Sequence, residues 1–231
     1  TVRNLQRWSG PGILFYVVTF TFAAFDWVMS LDPHWFSTVF GLLFVVGHGV
    51  GAIALMIVVA SWLSEEEPLR DFIAPNHFHD LGNLLLAFVM LWAYIAFSQY
   101  LIVWSGNLPE EIPWYLERTQ HGWEKIAVGL ILLHFAIPFL LLLSRARKRS
   151  KRRLVRVALL LIVLRFVDLF WIVAPMQGLG LTLHWVDIAA PIGIGGLWLA
   201  TFTWFLQRRD LMPFSDPRMA EVFGYPEGEE R

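Results

Sequence analysis

Six long apolar runs take up almost the whole chain, and that leaves few folds open to it. A transmembrane helix needs about 20 mostly apolar residues, and the runs over 12–31, 37–63, 81–104, 123–143, 154–175 and 186–206 meet that length. They are continuous stretches rich in Leu, Val, Phe and Ala, not the short segments of alternating polarity that build a membrane β-barrel. The expected fold is therefore an all-α, six-span transmembrane bundle over 1–209, followed by a polar tail over 210–231. Composition agrees: 57% apolar and 16% charged residues fall outside the range of soluble domains.

The net charge of −1 hides a segregation. Arg3, Arg7, Arg70, the cluster from Arg145 to Arg156, Arg208, Arg209, Arg218 and Arg231 lie on one side of a six-span chain, and only Arg118 and Lys125 lie on the other. The positive-inside rule makes the first side cytoplasmic and puts both termini there. The basic cluster is expected to set topology and to attract anionic lipid. It is juxtamembrane and so is no nucleic-acid face. The tail, rich in Pro, Glu and Gly, reads as a frayed end or a docking strap for another subunit. The chain opens at Thr1 without a signal-peptide arrangement, and is expected to be part of a longer protein. With no cysteine, disulfides, thiolate metal sites and Cys-ligated Fe–S clusters are excluded from this chain. Any redox centre needs His ligands or a partner subunit.

The chemistry-bearing candidates are ionisable residues inside the spans, because a charge near the bilayer centre costs at least about 2.5–3.5 kcal/mol. Counting depth at roughly 1.5 Å per residue puts His48 and His134 about 16–18 Å below the outer surface, with Arg165 at similar depth. Asp26 and Asp168 come higher, Asp187 and His184 lie near the outer surface, and His77, His79 and Asp80 gather at the inner one. Such a ladder has the groups a proton relay requires. The plainer reading pairs each residue locally: Arg165 and Asp168 are three apart on one helix face and can neutralise each other. Pro138 and Pro191 remove the helical donors of the carbonyls of His134 and Asp187, which sharpens interest in both. The matched depth of His48 and His134 also fits a bis-imidazole haem. Gln99, Tyr100 and Trp104 suit a quinone headgroup or an interfacial aromatic belt. The histidines at 77 and 79 with Asp80 read as a hydrated or helix-capping end more than a metal site. Gly47 and Gly51, and Gly193, Gly195 and Gly196, signal close helix packing. The loop over 105–122, with Trp114 and Tyr115, is expected to lie along the interface or to dock a partner.

The stretch from Phe25 to Thr38 (FDWVMSLDPHWFST) resembles the ActF family of membrane proteins, which belong to bacterial alternative complex III, a quinol:cytochrome c oxidoreductase. His79, Asp80, Leu81, Gly82 and Asn83 are similar to the same family, as are Tyr94, Phe97, Ser98, Gln99, Tyr100, Leu101 and the residues from Trp104 to Glu110. This family is related to the NrfD and polysulfide-reductase membrane anchors and has about ten spans, of which these would be the last six. The resemblance implies a bacterial inner-membrane complex that oxidises quinol and passes electrons through Fe–S and haem c subunits. It implies that this chain holds no haem or cluster itself, that it sits beside a sister NrfD-like subunit and an Fe–S subunit, and that the quinol site belongs to the sister. The expected role is assembly and proton conduction, with Asp26, His48, His134, Arg165, Asp168 and Asp187 along an interior route and Asp80 at its inner mouth. The rival readings are a subunit that binds quinol or haem b directly, and a secondary transporter.

Overall fold

The computed structural model describes residues 2–67, 69–177 and 180–208, without the side chains of 2–5, 71 and 177. The expected tail over 210–231 lies outside the described residues, with Arg209, Arg218, Arg231 and the side chain of Arg3. The helices are α1 Val2–Trp27, α2 Phe40–Leu63, α3 Pro75–Gly106, α4 Pro113–Arg118, α5 Trp123–Gly129, α6 Ile137–Leu143, α7 Arg145–Lys148, α8 Lys151–Val173 and α9 Trp185–Leu206. A π-helical segment, Leu130–Ala136, joins α5 to α6. No strand occurs among the described residues.

Six stretches are long and apolar enough to cross a membrane: Gln6–Leu31, Phe40–Leu63, Pro75–Gly106, Trp123–Leu143, Lys151–Met176 and Trp185–Leu206. They coincide with the six expected spans, and the chain is a multi-pass helical membrane protein. Helices are forced here because hydrocarbon offers no partner to a backbone N–H or C=O. The third span starts earlier than its apolar run. Pro75 occupies the first helical turn, where its missing N–H costs nothing. The His77 Nδ1 accepts from the Ala74 N–H at 3.0 Å. His77, His79 and Asp80 thus belong to the start of α3.

The helices form two units. One holds the first part of α1, through Tyr16, with α9. The other, Val17–Leu183, holds the remaining spans. In it α2 packs on α3 and α8, and the π segment packs on α8 and α3. One end of this unit is tied by the basic cluster. Lys148 Nζ donates to Asn83 Oδ1 at 2.6 Å, and Lys151 Nζ donates to Ser64 Oγ and Glu65 Oε1, each at 2.8 Å. That hydrogen bond and the lysine's charge hold the Glu65 carboxyl below its usual range. Gly82 makes room for the Lys148 stem, since a Cβ there would stand 2.9 Å from Lys148 Cγ.

The opposite end departs from expectation. Trp114 and Tyr115 of the loop over 105–122 are not displayed at its surface, as a docking face built on them would require. Its helix α4 folds back onto the bundle, with Trp114 and Tyr115 buried. Trp114 stacks on Trp35 with centroids 4.7 Å apart and meets Trp171 edge-on at 5.9 Å. Aromatic rings bury much area per residue and gain from such geometries.

Candidate functional site

Buried positions recur along α3 and α8 at intervals of about three and four. On α8 they are Leu154, Val157, Ala158, Leu161, Leu164, Asp168 and Ile172, so Asp168 holds a place on the packing stripe that its neighbours fill with aliphatic side chains. The Asp168 side chain is 4% exposed and that of Arg165 11%. Arg165 Nη1 donates to Asp168 Oδ2, so the local pairing anticipated from their spacing is formed. Trp92 of α3 is a second polar neighbour of this carboxylate. His134 stacks on Trp92, with centroids 4.3 Å apart and planes 10° from parallel. His134 is 0% exposed, and neither of its ring nitrogens has a hydrogen-bond partner among the described residues. The guanidinium of Arg165 lies 5.6 Å from the Phe44 ring. Three elements therefore bring together an ion pair, an indole and an imidazole inside the bundle.

The π segment explains how His134 reaches this position. Leu130, His134, Pro138 and Leu142 are all buried, a strict spacing of four that outruns the 3.6-residue repeat by about 40° at each step. The wider i→i+5 turn takes up the excess, and the Ile137 N–H bonds the Leu132 carbonyl in that register. Pro138 was expected to free the carbonyl of His134 alone. The helix instead leaves α geometry ahead of the proline.

Gly47 also needs a corrected reading. Packing of helix backbones was expected of it, but a Cβ at Gly47 would lie 2.5 Å from the Arg165 guanidinium carbon. The missing side chain makes space for a charge. At Gly51 the nearest such atom is Arg165 Cγ, at 4.0 Å, while a Cβ at Gly193, Gly195 or Gly196 meets nothing within 4 Å. Gly47→Val is expected to push the guanidinium off Asp168 and to cost about 1–3 kcal/mol, the range for overpacking a filled site. Gly51→Ala should be near neutral. Thermal unfolding in detergent compares the two, and equal losses would remove the special role of Gly47.

The rest of the expected ladder does not join this cluster. Asp26 is exposed, and its carbonyl accepts from Ser30 Oγ at 2.5 Å. His48 follows Gly47 by one residue, about 100° around the helix, so it faces outward and stacks on Phe20 at 4.8 Å. Asp80 has a side chain 77% exposed and meets His79 Nδ1 at 3.4 Å. Asp187 belongs to the other unit, where its Oδ2 accepts from the His184 N–H at 2.8 Å and caps α9. The bis-imidazole reading also needs repacking, because both nitrogens of His134 are sealed inside the bundle while His48 points away.

The quinone candidates separate in the same manner. Gln99 lies on the buried stripe of α3 with Leu85, Val89, Trp92 and Val103, whereas Tyr100 and Trp104 stack on each other at 5.7 Å on an exposed face. Gln99 is 1% exposed and lines a cavity of about 130 Å³ with Ser37, Thr38 and Glu111. Its amide has no hydrogen-bond partner among the described residues. The Tyr115 hydroxyl stands nearby without bonding geometry, and burial pushes that phenol up from its ordinary range.

Arg118 is a residue that charge counting passed over. It is 0% exposed, lies 3.5 Å above the Trp114 ring, and donates from Nη1 to the Trp114 carbonyl at 2.7 Å and from Nη2 to the Ile172 carbonyl at 2.5 Å. It therefore bolts α4 to the end of α8. Burial pulls its guanidinium down to about 9, with Glu117 and Asp32 acting in the other direction, so it stays charged at neutral pH. The signal in the sequence was the four-residue spacing of Trp114 and Arg118, which suits a cation–π pair on one helix face.

No protein-family model matches the chain, and no curated protein matches it.

Proposed function

We propose that the chain is a membrane subunit of a bacterial inner-membrane respiratory complex of the alternative complex III type, which oxidises quinol. In it the chain supports assembly and handles protons at the cluster of Arg165, Asp168, Trp92 and His134. The observation that supports this reading is a buried imidazole with both nitrogens unpartnered, stacked on the indole that neighbours a buried carboxylate. An imidazole accepts a proton at one nitrogen and releases one from the other, and ionisable groups at such depth are costly unless they serve a path or a partner. The exposed residues Asp26, His48 and Asp80, and Asp187 at the start of α9, are not needed for this step. Its reach is shorter than a full ladder, and ordered water is required on either side.

The test is the whole complex reconstituted in vesicles. Asp168→Asn keeps an oxygen for Arg165 in the same volume and is the mildest removal of the charge, and the subunit composition of the purified complex checks that it assembles. It and His134→Ala are expected to lower the protons released per electron. Unchanged stoichiometry in both variants refutes the reading.

A second reading has its own observation, the cavity beside Gln99. An engineered cavity of about 150 Å³ admits benzene, so about 130 Å³ is of the order of one hydroxylated ring. In this reading the Gln99 amide holds a quinol headgroup. Loss of bound quinone on Gln99→Leu, with proton stoichiometry intact, favours it over the first.

A further inference from the structure

Six residues of the basic cluster from Arg145 to Arg156 fall into two sets. Lys148, Arg149 and Lys151 are spent on the protein itself, on Asn83, Asn76, Ser64 and Glu65. Arg147, Arg153 and Arg156 instead ring a groove of about 460 Å³, whose remaining lining is Leu141, Val157 and Leu160. None of the ion pairs among the described residues involves these three arginines. Arg156 Nε donates only to the Arg152 carbonyl of its own helix, at 3.3 Å. Three guanidinium groups thus converge on one groove with no acidic partner among the described residues.

The vertical order of the lining identifies what the groove takes. Arg147 is on α7, and Arg153 and Arg156 lie one turn apart near the start of α8, all at the end of the spans. Leu160 is four residues past Arg156, about 6 Å deeper along the helix, and Leu141 is within the last turn of α6. Cationic donors therefore sit above an apolar floor that runs into the hydrocarbon layer. A phospholipid has the same order, phosphate above acyl chain. Guanidinium forks match phosphate oxygens in bidentate pairs, and basic pockets between spans are a known form of lipid recognition. A peptide laid on the same floor would bring unpaired backbone groups into lipid.

We propose that this groove binds an anionic phospholipid, its phosphate held by Arg147, Arg153 and Arg156 and an acyl chain lying along Leu141, Val157 and Leu160. The inference does not depend on the respiratory reading. Native mass spectrometry of the full chain in detergent, titrated with phosphatidylglycerol or phosphatidylcholine, tests it. Expected is one tightly retained phosphatidylglycerol, with apparent affinity at least about tenfold above phosphatidylcholine. Arg147→Gln/Arg153→Gln/Arg156→Gln should weaken it by at least about tenfold, and Leu160→Gln should weaken it with every arginine kept. The pair Arg145→Gln/Arg152→Gln, exposed but outside the groove lining, should change it less than about twofold. All these side chains lie at or near the surface, and circular dichroism checks that the variants remain helical. Equal loss in the control pair reduces the effect to diffuse charge and overturns the site. Equal retention of phosphatidylcholine overturns it too. Displacement by millimolar inorganic phosphate, or by an acidic peptide, would assign the groove to an anion or a protein segment instead of a lipid.

Discussion

Replacing Arg165 with Leu is expected to destabilise the bundle by about 3–5 kcal/mol, the cost of leaving one member of a buried ion pair uncompensated. The carboxylate of Asp168 would then sit at 4% exposure with only the Trp92 indole as a polar neighbour. Asp168→Leu should cost a similar amount, because the guanidinium, held between Gly47 and the Phe44 ring, would lose its carboxylate at 11% exposure. The informative variant is the double one. Arg165→Leu/Asp168→Leu removes both desolvated charges and places aliphatic side chains on a stripe already built from Leu154, Leu161 and Ile172, so it should lie within about 1–2 kcal/mol of the parent, as buried pairs replaced by apolar residues often do. Thermal or denaturant unfolding in micelles gives the cycle. If each single variant is as mild as the double, the pair is not sealed from water as its burial indicates. If the double variant is stable yet the proposed proton release is lost, the pair is kept for function, since stability alone does not require it.

Arg118→Leu should be nearly as damaging, at about 3–5 kcal/mol, since hydrogen bonds to a charged group are each worth about 1.5–3 kcal/mol. Two carbonyls, those of Trp114 and Ile172, lose their donor, and the ring of Trp114 loses the cation above it. The expected consequence is local: α4 detaches from α8 while the spans persist. Trp114, buried at 2% exposure, should become accessible to an aqueous fluorescence quencher, with little change in helical content. Arg118→Lys should rescue only part of the loss, because one ammonium cannot reproduce a fork that serves two carbonyls and stacks on an indole. Full rescue by lysine would mean that charge alone, not the fork, anchors the segment.

Much of this architecture is legible in the chain alone. The span boundaries agree closely with the apolar runs, and the Arg165–Asp168 pairing follows from a three-residue spacing on one helix. The positions of Gln99 and Asp168 were readable in principle, for each falls in step with aliphatic residues three or four positions away. His134 was harder. Its four-residue spacing from Leu130 and Pro138 fits no straight α-helix, and only the π turn makes it a single face. Arg118 was counted as a stray charge outside the membrane, because the charge rule registers which side a residue is on and is blind to what it touches.

Depth along the normal is a one-dimensional property, so it set Asp26 and His48 on one ladder with His134 and Asp168. Facing separated them. In a soluble helix one polar face would announce the direction of the core, but a span in lipid is apolar all round, and its sequence carries little amphipathic signal.

By itself the sequence determined the helical class and the number and length of the spans. It did so because hydrocarbon imposes a minimum apolar length and requires every backbone group to be satisfied within its own helix. Beyond the Arg165–Asp168 pair, what the buried polar groups meet was decided only by tertiary packing. Gly47 opens a place for Arg165, the π turn swings His134 under Trp92, and α4 folds inward on Arg118. Each depends on rotation about a helix axis or on a contact distant in sequence, and neither leaves a mark in composition or hydropathy.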